Sequence, residues 1–99
     1  MPAGIIEKAA GETYPVGLIY TAPDLEPEET IVSASISVSP AETGGLEAGT
    51  PTIQDGNKVW SVISAGLPGQ EYLLTFSVQT SGGKIYCNPQ RDSLLIRIL

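Results

Sequence analysis

A chain of 99 residues with 41% apolar content can bury one small core but cannot supply two domains. Eleven acidic residues against five basic ones give a formal charge of −6, which repels a phosphate backbone and argues against nucleic acid as a partner. Histidine is absent, which removes the usual general base near neutral pH and most hydrolytic triads; no run approaches the roughly 20 apolar residues of a membrane span, and no leader pattern opens the chain, so a soluble protein without cofactor or metal is expected.

Residues 1–15 carry no sustained period, and Pro2, Gly4, Gly11 and Pro15 interrupt any helix, so an extended N-terminal arm is expected ahead of a domain over 16–99. Ile5 and Ile6 make the arm apolar, suited either to docking on a neighbouring chain or to packing on its own domain. Val16–Thr21 reads as a strand. The following APDLEPEET has two prolines and four carboxylates; Asp24, Glu26, Glu28 and Glu29 lack the spacing of a calcium loop, and a solvated loop is the expectation.

From Thr30 the pattern alternates, with Val32, Ala34, Ile36 and Val38 on one face and Ser33, Ser35, Ser37 and Ser39 on the other, and Pro40 ends it. A weaker strand follows around Leu46 to Gln54. Asp55-Gly56-Asn57 marks a tight hairpin turn whose partner strand begins at Lys58. In KVWSVISA, Trp60 and Val62 are assigned inward, with Trp60 as a core anchor, and Val59, Ser61 and Ile63 to the opposite face.

Gly66-Leu67-Pro68-Gly69 forms a corner before a strand with Tyr72, Leu74, Phe76 and Val78 inward. Ser81-Gly82-Gly83 turns the chain into a short KIYCN strand, in which Cys87, the only cysteine, is expected as a small buried residue. SLLIRIL closes the chain with Leu94, Ile96 and Ile98 inward, and this last strand is a candidate open sheet edge. About seven short strands without a helical period predict an all-β antiparallel sandwich of the immunoglobulin or fibronectin-III type.

The glycines of TGGLEAGT lack the Lys-Ser or Lys-Thr of a phosphate loop, and the acids cluster in a Pro-rich loop away from any expected cleft. What remains points to association: the apolar residues out of phase at Leu73, Leu95 and Leu99, with Ile5 and Ile6 of the arm, are the candidate interface. Gly66, Gly69, Tyr72, Phe76 and Trp60 are the candidate structural set.

The run GLPGQEYLLTFSVQTSGGK resembles the immunoglobulin-like fibre-tail adaptor proteins of tailed bacteriophages, in which a Gly-x-x-Gly-x-x-Tyr turn enters a strand ending in Thr-Ser-x-Gly. Gly66, Gly69 and Tyr72, then Thr80, Ser81 and Gly83, stand at the matching places, and LEPEETIVSASISVSPAETGGL is similar to the family's upstream pattern, although EPEET lacks its glycine. The resemblance implies a non-enzymatic virion protein that joins tail, neck or fibre components, present in several copies in a symmetric assembly and made in the host cytoplasm. A capsid decoration or carbohydrate-contacting module, using the loops Asp55–Asn57 and Asn88–Asp92, is the alternative.

Overall fold

The computed structural model describes residues 4–21 and 25–99; Met1 to Ala3 of the arm and Ala22 to Asp24 of the acidic loop lie outside them. Nine strands are seen among the described residues, with no helix: β1 (Gly4–Lys8), β2 (Tyr14–Ile19), β3 (Ile31–Ser39), β4 (Leu46–Ala48), β5 (Thr52–Gln54), β6 (Lys58–Ala65), β7 (Glu71–Thr80), β8 (Ile85–Tyr86) and β9 (Ser93–Ile98). They form two sheets packed as a sandwich. One has the order β1-β9-β7-β3 with β8 also on β7; the other has the order β2-β6-β4 with β5 also on β6.

The count exceeds the expected seven for two reasons. The weak strand over Leu46 to Gln54 is split, because Pro51 cannot donate to the ladder and the register on β6 shifts by one residue between Ala48 and Thr52. The arm adds β1, which pairs with β9 in parallel, Ile5 opposite Leu95 and Lys8 opposite Ile98, so the sheet is mixed and not purely antiparallel. That pairing also corrects the expected open edge: β9 lies between β1 and β7 and is an interior strand.

The core is the inner face of both sheets. Tyr72, Leu74, Phe76 and Val78 of β7 are buried, as are Leu94, Ile96 and Ile98 of β9, in the phases their alternation predicts. On β6 the assigned faces are reversed. Val59, Ser61 and Ile63 point inward, whereas Trp60 is half-buried and Val62 exposed on the outer face. Ser61 is tolerated inside because its hydroxyl donates to the Gly49 carbonyl at 2.7 Å, so a polar residue occupies a core position without a lost hydrogen bond.

On β3, Ala34, Ile36 and Val38 face inward and are half-buried, but Val32 is exposed. The register runs Ile31 opposite Thr80 and then Ser33 opposite Gln79, so Val32 is the extra residue of a bulge and drops out of phase.

The corner before β7 is a β-turn closed by the Gln70 amide donating to the Leu67 carbonyl at 3.1 Å, with Pro68 at its second position and Gly69 at φ 80° at its third. Gly66 has φ 104°, and a Cβ there would meet Ile98 Cδ1 at 2.7 Å. The corner thus lies directly on β9. Asp55 and Gly56 both take positive φ, with the Asn57 amide donating to Gln54 O, and β6 begins at Lys58 as the turn requires.

Candidate interaction surfaces

Cross-strand register assembles a surface that no single segment displays. On the outer face of the larger sheet Ile5 lies opposite Leu95, and Leu95 opposite Leu73, making one aliphatic row across β1, β9 and β7. Ile5 is 60% exposed, and Leu73 and Leu95 are half-buried. The next row is charged: Arg97 pairs with Glu71 at 2.9 Å and with Glu7 at 3.5 Å. Beyond Leu73 the face becomes hydroxylic, with Ser39, Ser37 and Ser35 opposite Leu73, Thr75 and Ser77. Two other residues of the candidate interface lie elsewhere. Ile6 turns inward against the core, and Leu99 projects past the end of β9, its amide donating to Lys8 O at 2.9 Å.

The outer face of the smaller sheet carries Trp60, a residue the alternation alone assigns to the core. Gly17 lies opposite it on β2, and a Cβ on Gly17 would sit 2.8 Å from Trp60 Cβ, so glycine is needed for the two strands to pack here. A hollow of about 210 Å³ is lined by Pro15, Val16, Gly17, Lys58 and Trp60. The indole Nε1 is buried and lacks a hydrogen-bond partner among the described residues.

Several titratable groups hold loops in place. The Tyr72 hydroxyl accepts the Leu67 amide at 3.1 Å and donates to Glu42 Oε1 at 2.6 Å, closing the corner; burial, then the Glu42 carboxylate, raises its pKa. Glu29 accepts from the Thr80 hydroxyl at 2.5 Å, from the Glu26 amide at 2.9 Å and from Lys84 Nζ at 3.1 Å. These bonds, that of Thr80 foremost, hold its pKa down at about 2. The acidic segment is therefore tied to the Ser81-Gly82-Gly83 turn at Glu29, where sequence reading expects a solvated loop.

Lys8 is fully buried, with Nζ donating to the carbonyls of Ala65 at 2.7 Å, Ala9 at 2.8 Å and Ala10 at 3.4 Å. Burial lowers its pKa, with Glu12 opposing. The lysine thereby joins the end of β1 to the end of β6 across the two sheets.

β8 and β9 lie along the same side of β7 but in registers four residues apart, so Cys87–Asp92 is an excursion between them. Cys87 is exposed in it, contrary to the expected burial, because β8 ends at Tyr86. Asp92 is fully buried beneath the loop and accepts from the Tyr20 hydroxyl at 2.9 Å, the Asn88 amide at 2.8 Å and Arg91 at 3.1 Å. Arg91 in turn lies 4.5 Å over the Tyr86 ring, which stacks on Tyr20 at 6.0 Å. Among the described residues no cluster of three or more His, Cys, Asp or Glu converges as a metal site.

The family model described as podophage GP4 fiber-tail adaptor protein gp77 matches residues 8–89. No curated protein matches the chain.

Proposed function

Because the chain belongs to the podophage GP4 fiber-tail adaptor family, we propose that it is a non-enzymatic virion component that joins tail, neck or fibre proteins through its outer sheet faces. The observation that carries this reading is the Ile5–Leu95–Leu73 row. Side chains from three strands, distant in sequence, are aligned by register into one aliphatic stripe, and the Glu7–Arg97–Glu71 pairs border it as a polar rim. An apolar strip with a charged margin is the anatomy of a protein contact. Trp60, the residue type most enriched among contacts that dominate binding, gives the opposite sheet a second face, as a protein bridging two neighbours requires. Several copies in a symmetric assembly, each using the same faces, follow from the geometry of virion rings.

The test is complementation of a phage lacking this gene product with Leu95→Asp or Trp60→Ser chains. The expected result is a folded protein missing from particles or present on particles that lack fibres. Wild-type infectivity and fibre occupancy with both variants would overturn the reading, as would catalytic turnover by the purified chain on a phage receptor glycan.

A further inference from the structure

The free edge of β3 has the features of a docking strand. It lies at the end of the larger sheet, and among the described residues no strand pairs with its outer side. Three other edges are guarded. β1 is five residues long and carries the inward Lys8, β2 contains Pro15, and the β4–β5 edge is broken around Pro51. β3 runs nine residues with neither charge nor proline.

Its unpaired backbone groups can be assigned. The Phe76 amide donates to Asp92 O at 2.8 Å, so Phe76 faces away from β3, and its opposite residue Ile36 must face away from β7. By alternation Ala34, Ile36 and Val38 turn their N–H and C=O outward, while the serines bond β7. The inward side chains of the same three residues are only half-buried, whereas those of β7 are buried completely. Both the ladder and the core stop one strand short at this edge.

We propose that β3 accepts an extended segment of a partner protein by strand addition, and that the segment is flanked by basic residues. The charge pattern decides between a partner and a second copy. No lysine or arginine occurs between Lys8 and Lys58, and β3 is bracketed in sequence by the exposed Glu26 and Glu28 before it and by the exposed Glu42 and Glu47 after it. Lys84 pairs with Glu26 and Glu29 just before β3, and the Glu29 charge is taken up there. Antiparallel pairing of two β3 strands would set the acidic start of one against the acidic end of the other, which repels; a segment with lysine or arginine at both ends meets the same groups favourably.

This inference draws on the adaptor reading for the source of the segment alone, and two measurements separate them. In the first, hydrogen exchange of the full-length chain is followed free and in intact particles. The amides of Ala34, Ile36 and Val38 are expected to exchange freely in isolation and at least about 100-fold more slowly in particles. Particles that contain the chain with these amides still fast would overturn strand addition and leave the adaptor reading standing; particles without the chain would overturn the adaptor reading.

The second measurement needs no phage. Binding is measured to an alternating threonine-valine peptide of β3's nine-residue length, flanked by lysine pairs or by glutamate pairs. The lysine-flanked peptide is expected to bind at least about tenfold tighter, and Ala34→Pro, which removes an outward N–H and no ladder bond, to abolish binding while preserving the fold. Val38→Pro is the second variant should the first not fold. Absent binding, equal binding of both peptides, binding unchanged by the folded proline variant, or a β3-dependent dimer of the free chain would each overturn the proposal.

Discussion

Glu29 occupies the space that a side chain on Gly82 would fill: a Cβ there would lie 2.3 Å from Glu29 Oε2. The carboxylate is pinned from three directions by Thr80, Lys84 and the Glu26 amide, so it cannot step aside without losing bonds. Gly82→Ala is expected to lower the melting temperature and to raise the Glu29 pKa towards 4.5, its ordinary value, read by carboxyl-carbon NMR titration. An unchanged Glu29 titration would refute the coupling.

The same carboxylate sets a pH window. Its pKa falls from 4.5 to about 2 on folding, so its contribution to stability is fully present above about 4.5 and fades as pH drops through the folded value. The stability difference between the native chain and Glu29→Gln is therefore expected to be constant near neutrality and to shrink between pH 4.5 and 2. Urea midpoints across that range provide the check.

Tyr72→Phe keeps the ring in the core and deletes the hydroxyl that joins Leu67 to Glu42. A melting temperature lower by several degrees is expected, with Glu42→Gln costing less, since an amide oxygen still accepts the bond. Equal melting points for native and Tyr72→Phe chains would mean that the corner holds without its hydroxyl.

Lys8→Met retains most of the buried stem but leaves the carbonyls of Ala9, Ala10 and Ala65 without their cation. The expected cost is about 1–3 kcal/mol by chemical denaturation. Faster proteolysis near residues 9–13 should accompany it, because the lysine anchors the passage from β1 to β2.

Leu94 and Leu95 are neighbours with opposite assignments. Leu94→Ser is expected to destabilise the domain by about 3 kcal/mol or more, and Leu95→Ser by about 1 kcal/mol or less while impairing particle assembly. Stability and incorporation should thus separate across a single peptide bond. A Leu95→Ser chain that assembles normally would remove the aliphatic row from the interface.

Local signals in the sequence were legible where one residue's chemistry determines one conformation. Pro68-Gly69 gives its turn, Asp55-Gly56 its positive φ pair, and the alternation of Tyr72 to Val78 its inward face. Long-range relationships were not. Both faces of β6 are apolar, so its phase is ambiguous in isolation, and the Gly49 carbonyl that satisfies Ser61 inside the core lies on a separate segment. Nothing near Gly4 announces a parallel partner at Leu94, nor does the acidic loop announce that Glu29 closes a turn more than fifty residues away. Of the candidate interface, Ile5, Leu73 and Leu95 share a row through pairings that the linear pattern does not contain, while the inward Ile6 and the terminal Leu99 stand apart from it.

The parallel pairing of β1 with β9 has a mechanical consequence. Gly4 begins the pair beside Leu94, and Leu99 lies just beyond its far end, beside Lys8. Tension drawn between these two points pulls the strands past one another along their length, loading the intervening backbone bonds together in shear, where an antiparallel terminal hairpin would unzip one bond at a time. A link between a fibre and a tail anchored at those ends would resist a sudden pull as a clamp does, without any enlargement of its core.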